Sequence, residues 1–247
     1  KKTNWMPNEV VLAEINADRH TKGLDPRADF RYSEIVLQAG MRSSKSSLVA
    51  LILAYEFYKL VINPNPQIYL GIPSSSMIYL TAMASSERQS LGTIFAYVKN
   101  HISGATFFKN LVQRGEVIVT DKEISYPKKN LILASGHSKA DTLVGRTAIM
   151  VAFDELAMFS ADEGRTSNAA DVYARIGRST ATFKDHSLRV AMSSVKETGD
   201  FMETLVEEGW DKQSRGTLIF DLTTFDMNPM KTPDEPVIAG EYARDPV

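Results

Sequence analysis

The chain has 247 residues, 43% hydrophobic and 23% charged, enough to bury a full core as one large domain or two small ones. It has no cysteine, which excludes disulfides, thiolate metal centres and cysteine nucleophiles, and its four histidines (His20, His101, His137, His186) lack ligand spacing. A net charge of −2 gives no global basic field for nucleic acid, and no apolar run approaches the ~20 residues of a membrane span.

Residues 1–30 read as an irregular N-terminal segment with one short helix, PNEVVLAEINAD. Alternation follows. SEIVLQAG (33–40) predicts a strand and KSSLVALILAYEFYKLVI (45–62) a helix, which NPNP ends because proline lacks the amide donor. MIYLTAMA (77–84) predicts a buried strand and SSERQSLGTIFAYVKNHI (85–102) a single helix capped by Ser85 or Ser86. EVIVT, EISYP and NLILAS, between 116 and 135, predict a small antiparallel excursion. RTAIMVAF (146–153) is a strongly apolar strand, NAADVYARIGRSTA (168–181) a helix, SLRVAMSS (187–194) a strand, DFMETLVEEG (200–209) a helix and GTLIFDLTTF (216–225) a strand. Such alternation predicts an α/β domain over 31–232, with about five main strands, mostly parallel, and helices on both faces. Residues 233–247 carry three prolines and several charges and read as the start of a linker. With lysine rather than methionine in first place, the chain reads as a piece of a longer protein.

The chemistry begins where the first strand runs into AGMRSSKSS. A phosphate-binding loop needs converging backbone amides, a helix N-terminus aimed at the anion, a lysine for the β- and γ-phosphates and a hydroxyl for magnesium. Lys45 and Ser46 supply the last two at the start of a long helix. The pattern G-x-x-x-x-G-K-[ST] places glycine where this chain has Ala39 and Ser44, so an ordinary strand–turn–helix fits this segment equally well. About 110 residues downstream, IMVAFDE delivers Asp154 and Glu155 to the end of a strand. Ligands of open α/β sheets gather outside the carboxyl ends of strands. There Asp154 would hold magnesium beside Ser46, and Glu155 would orient and deprotonate the attacking water. The same pair could instead merely cap the following helix, ELAMF; the two motifs together favour the site.

In that order the segments resemble the ATPase domain of the large terminase subunit, the DNA-packaging motor of tailed bacteriophages. AGMRSSKS stands at that family's variant Walker A loop, which commonly carries an arginine, as Arg42 does here. IYLTAMASSERQSLGTIF is similar to the next strand and helix, MVAFDELAMF to the Walker B strand with its catalytic carboxylate, and RVAMSSVKETGDFMETL to the coupling motif. EYARDP resembles the beginning of the link toward a nuclease domain. The resemblance implies a P-loop NTPase fold (ASCE, RecA-like) and Mg2+-dependent ATP hydrolysis that drives double-stranded DNA into a procapsid. It implies as partners the portal protein and the small terminase subunit, a homo-oligomeric ring when assembled, and a place in the cytoplasm of the infected host, transiently at the portal. The ATP-binding residues it implies are Gln38, Ala39, Gly40, Met41, Arg42, Ser43, Ser44, Lys45, Ser46 and Ser47; the metal residues, Ser46 and Asp154; the coupling residues, Ser193 and Ser194. Catalysis falls to Glu155 with Arg42 or Arg146; TLVGRTAIM has Val144 where the family often has arginine, and Arg146 follows Gly145. Two other readings stay open: a helicase-like or other P-loop ATPase, and a non-hydrolysing assembly module with a degenerate site.

Trp5 and Tyr32 are candidates to pack on adenine. For a DNA track the candidates are Lys128 with Lys129, and Arg175, Arg178, Lys184 and Arg189.

Overall fold

The computed structural model describes residues 2–41, 43–137, 147–159, 169–194, 199–210, 216–228 and 230, with only the backbone of His137, Lys184 and Asp185. Arg42 and Arg146 lie outside the described residues, as do Val144, Gly145 and the tail 233–247.

Among the described residues eight strands form one sheet: β1 (Glu34–Ala39), β2 (Ile78–Ala84), β3 (Ile118–Val119), β4 (Glu123–Tyr126), β5 (Leu131–His137), β6 (Ala148–Phe153), β7 (Leu188–Ser193) and β8 (Thr217–Leu222). Their spatial order is β3-β4-β5-β2-β6-β7-β1-β8. From β5 to β8 every pairing is parallel. The six parallel strands exceed the five expected, because NLILAS belongs to both systems. It runs antiparallel to β4 but parallel to β2, so the small hairpin extends the main sheet instead of standing apart. β6, AIMVAF, is buried throughout, as a strand covered on both faces should be.

The helices are α1 (Asn8–Thr21), α2 (Lys45–Ile62), α3 (Pro66–Tyr69), α4 (Glu87–Gly92), α5 (Ile94–Gly104), α6 (Thr106–Gln113), α7 (Ala169–Thr180), α8 (Phe201–Trp210) and α9 (Thr224–Met227). On one face of the sheet α2, α5 and α6 bury Leu53, Phe57, Phe95 and Phe108 over Leu80, Leu133 and Met150. On the other, α7 and α8 bury Tyr173, Ile176, Met202 and Val206 over Val36, Val151 and Ile219. The helix expected over 85–102 is in fact two, broken at Thr93, whose φ −117° and ψ −96° leave the helical region.

The N-terminal segment is more ordered than its sequence predicts. Thr3 bridges Phe220 on the outer edge of β8, and Asn4 accepts from the amide of Ile219 at 2.7 Å and donates to the Thr217 carbonyl at 3.1 Å. One edge of the sheet is covered this way and the other ends in the hairpin, which limits exposed strand edges.

Candidate active site

Parallel pairing fixes where the candidates meet. Gln38 of β1 stands opposite Ser193 of β7, and Phe153 of β6 opposite Ala191. The loop after β1, the acids after β6 and the serines ending β7 therefore share the carboxyl edge of three adjacent strands.

Gln38 and Ala39 end β1, and Lys45, Ser46 and Ser47 open α2; of the residues between, Gly40, Met41, Ser43 and Ser44 are described. Ser44 has φ 64° and ψ 16°, the left-handed conformation for which glycine is usual. The serine thus adopts the backbone that the missing glycine would have given, at a strain of roughly 1–2 kcal/mol. Among the described residues no side chain caps α2, and its first intrahelical amide bond runs from Leu48 to the Ser44 carbonyl, which suits the amides before it to an anion. Gly40 is required for a different reason: a Cβ there would lie 2.2 Å from Thr224 Oγ1 and 2.9 Å from the Thr224 amide. Thr224, at the start of α9, also donates to the Met41 carbonyl at 2.9 Å, so α9 clasps the turn. Met41 itself points outward.

The charged groups converge. Lys45 is only 5% exposed; its Nζ lies 3.0 Å from Glu155 Oε1 and donates to Ser194 Oγ at 2.8 Å. Ser46 Oγ donates to Asp154 Oδ1 at 3.2 Å, and Thr93 Oγ1 lies 3.0 Å from Asp154 Oδ2. The other Glu155 oxygen accepts from the Ser194 amide at 3.3 Å and lies 3.4 Å from Ser193 Oγ. Glu155 has φ 52°, a conformation that costs about 1–3 kcal/mol and collects at functional sites. Glu155 meets Lys45 and the Ser194 amide, whereas Asp154 meets Ser46 and Thr93. The alternative of a capping pair fails: the turn Leu156–Met158 after Glu155 is a single 3-10 turn with no side-chain cap.

Asp154 is 1% exposed. Burial raises its pKa above the ordinary carboxylate range and the like charge of Glu155 adds to this; the Thr93 and Ser46 hydroxyls and Lys45 oppose it. A raised pKa means that the folded chain holds this proton more tightly than the unfolded chain. Stability therefore falls as pH rises from the ordinary carboxylate value through the raised one, and above that the full cost of the buried charge remains. Asp154→Asn is expected to raise the melting temperature of the nucleotide-free chain at pH 7 by a few degrees, 1 kcal/mol being about 2–4 °C at this length. The gain shrinks toward pH 4; thermal melts at the two pH values check it.

The cation is tested by the donor set. Ser46 and Asp154 offer two hard oxygens at one place, as magnesium prefers, and Ser43 Oγ and Gln38 Oε1 are buried without a hydrogen-bond partner among the described residues. The residues fit a magnesium–phosphate ligand.

Other candidates are placed elsewhere. Tyr32 precedes β1 and packs on Phe30, so it stands at the opposite end of the strand from the turn. Trp5 is exposed, beyond Asn4 in a segment that runs along β8 away from the carboxyl edge. Lys129 donates to the carbonyls of Val61 and Asn63 at the end of α2, and Lys128 pairs with Glu116 at 3.0 Å. Arg189 pairs with Glu34 at 3.1 Å and lies over the Tyr173 ring. Lys128, Lys129 and Arg189 each have a partner within the fold. Thr93, by contrast, reaches the site and was not expected there; a lone threonine in an apolar run carries no sequence signal.

The family model described as "Uncharacterized protein MJ0330, N-terminal P-loop domain" matches residues 9–247. The chain belongs to this P-loop family. No curated protein matches it. Among solved structures, the ATPase domain of the Thermus phage P74-26 large terminase is similar at TM-score 0.55 and 14% identity, over 87% of this chain and 88% of that one. The large terminase of bacteriophage HK97 is similar at TM-score 0.54 and 12% identity, over 86% and 38%. A large terminase from a thermophilic bacteriophage is similar at TM-score 0.53 and 13% identity, over 97% and 50%. This P-loop chain thus spans half or less of those last two terminases, and at such identities the likeness is one of fold.

Proposed function

We infer that the chain is a magnesium-dependent ATPase and the motor of a large terminase subunit, spending ATP to move double-stranded DNA into a procapsid. The observation that carries the reading is the meeting of Lys45, Ser46, Asp154 and Glu155 at one sheet edge, although the two pairs lie about 110 residues apart in sequence. The left-handed Ser44 favours a working loop over a degenerate assembly module.

In this reading the loop from Gln38 to Ser47 cradles the phosphates with its amides, and the Ser43 hydroxyl finds its partner there. Lys45 leaves Glu155 and Ser194 for the β- and γ-phosphates. Glu155, released, orients and deprotonates water held above the γ-phosphate. Ser46 and Asp154 hold magnesium, which when bound offsets phosphate charge during transfer. Arg42, or Arg146, or an arginine of a neighbouring copy in a ring offsets the charge that develops, an effect worth ~10³–10⁵ in rate. Ser194, which loses Lys45 when nucleotide enters, and Ser193, bonded to the Ala157 amide at 3.2 Å, report the state of the site toward α8. DNA, the portal protein and the small terminase subunit are the partners, at the portal in the host cytoplasm.

Phosphate release from magnesium–ATP, measured with and without linear double-stranded DNA, tests this. Magnesium-dependent turnover stimulated by DNA is expected. Absence of magnesium–ATP binding at millimolar concentration overturns the reading, and turnover indifferent to DNA leaves a generic P-loop ATPase.

A further inference from the structure

Thr93 sits in the break between α4 and α5, a position where threonine ordinarily caps the following helix. Its side chain makes no such cap. Oγ1 instead lies 3.0 Å from Asp154 Oδ2 and 2.6 Å from the Gln89 carbonyl, which also accepts the Thr93 amide at 2.9 Å. A threonine that only back-bonded to the carbonyl four residues earlier would leave the helix continuous or bent. Here the chain leaves helical geometry, and the hydroxyl reaches across to the carboxylate.

A hydroxyl carries one hydrogen, so Thr93 donates to one of these two oxygens at a time. An ionised carboxylate is the stronger acceptor. With Oδ2 so occupied, Oδ1 faces Ser46, the other oxygen of the pair. Asp154 is also tied through its backbone, whose amide donates to the Met83 carbonyl of β2 at 2.7 Å. One stretch, from the end of β2 to Thr93, therefore fixes both the main chain and the side chain of this acid.

We propose that Thr93 is a positioning residue for the divalent cation, orienting the Asp154 carboxylate so that Oδ1 and Ser46 Oγ present one oxygen pair. The inference rests on the magnesium-nucleotide reading of the site. Outer hydrogen bonds of this kind fix the rotation of a ligating carboxylate, and their loss typically lowers metal affinity about 10–100-fold.

The test uses the full chain with Thr93→Val, which keeps the branched shape and removes the hydroxyl, and Thr93→Ser, which keeps the hydroxyl. A fluorescent ATP analogue is titrated at increasing magnesium, alongside melting curves without nucleotide. Thr93→Val should need about tenfold more magnesium for half-maximal nucleotide binding, the low end of that range. Its affinity for the analogue in EDTA should be unchanged, and Thr93→Ser should bind like the unsubstituted chain. Thr93→Ala gives the same comparison without a branched carbon if the valine variant loses its cooperative melt. A hydroxyl-free, folded variant with an unchanged magnesium midpoint overturns the proposal, as does Thr93→Ser behaving like Thr93→Val. If the unsubstituted chain binds nucleotide with no magnesium dependence, the proposed function itself falls, an outcome visible before any variant is compared.

Discussion

Glu155→Gln should lower ATP turnover by about 10²–10⁴-fold, the usual contribution of a positioned general base, while magnesium–ATP still binds. Glutamine matches the shape of glutamate and keeps an oxygen for the Ser194 amide, now 3.3 Å away. What it cannot do is take a proton from water. The left-handed turn at Glu155 is set by the backbone, so the substituted side chain should hold its direction. Single-turnover hydrolysis and nucleotide titration together check the split: loss of turnover with binding retained supports the general base, whereas turnover within tenfold of the unsubstituted chain removes Glu155 from that role.

Lys45→Ala has the second large effect, and it acts on binding. The ammonium is the charge expected at the β- and γ-phosphates, and nucleotide affinity should fall beyond ~100-fold, about 2.7 kcal/mol. Stability should suffer too. Lys45 and Glu155 side chains are 6% and 23% exposed, and removing one member of a buried pair typically costs about 3–5 kcal/mol. Water reaches Glu155, so the low end of that range applies. The double variant Lys45→Ala, Glu155→Gln separates the two effects: it should recover most of the lost melting temperature, because no unpaired charge remains, and none of the nucleotide affinity. Recovery of affinity would assign the loss to folding instead.

Much of this arrangement is legible in the residues themselves. Apolar runs such as AIMVAF and IYLTAMA announce buried parallel strands, and proline at 64 and 66 stops α2 nearby. The lysine–serine and aspartate–glutamate pairs can be read because their chemistry restricts which residues serve, and strand ends are where such residues gather. Other features depend on contacts that no local pattern encodes. Ser44 in a glycine's conformation is visible only in the backbone, and so is the clasp of Thr224 on Gly40. The break at Thr93 follows Gly92, a helix breaker that a single helix over 85–102 passes over, whereas the bond from Thr93 to a carboxylate 61 residues away has no local signature. NLILAS has an ordinary strand composition; which neighbour it pairs with in parallel follows from the crossover through α4, α5 and α6, not from its own residues. α6, TFFKNLVQ, is too short to stand out in the sequence, and its Phe108 and Leu111 close the core.

The strand order has a further consequence for how the chain is born. β1, which leads into the proposed phosphate turn, is made before both its neighbours in the sheet, β7 and β8, which follow roughly 150 to 180 residues later. Nascent β1 must wait unpaired while the intervening residues are made, and distant parallel pairings of this kind form slowly. The sheet edge that holds the proposed site is therefore completed only once β8 is made, so a chain released before Thr217 would lack one wall beside the turn and leave β1 as a sticky margin for other nascent chains.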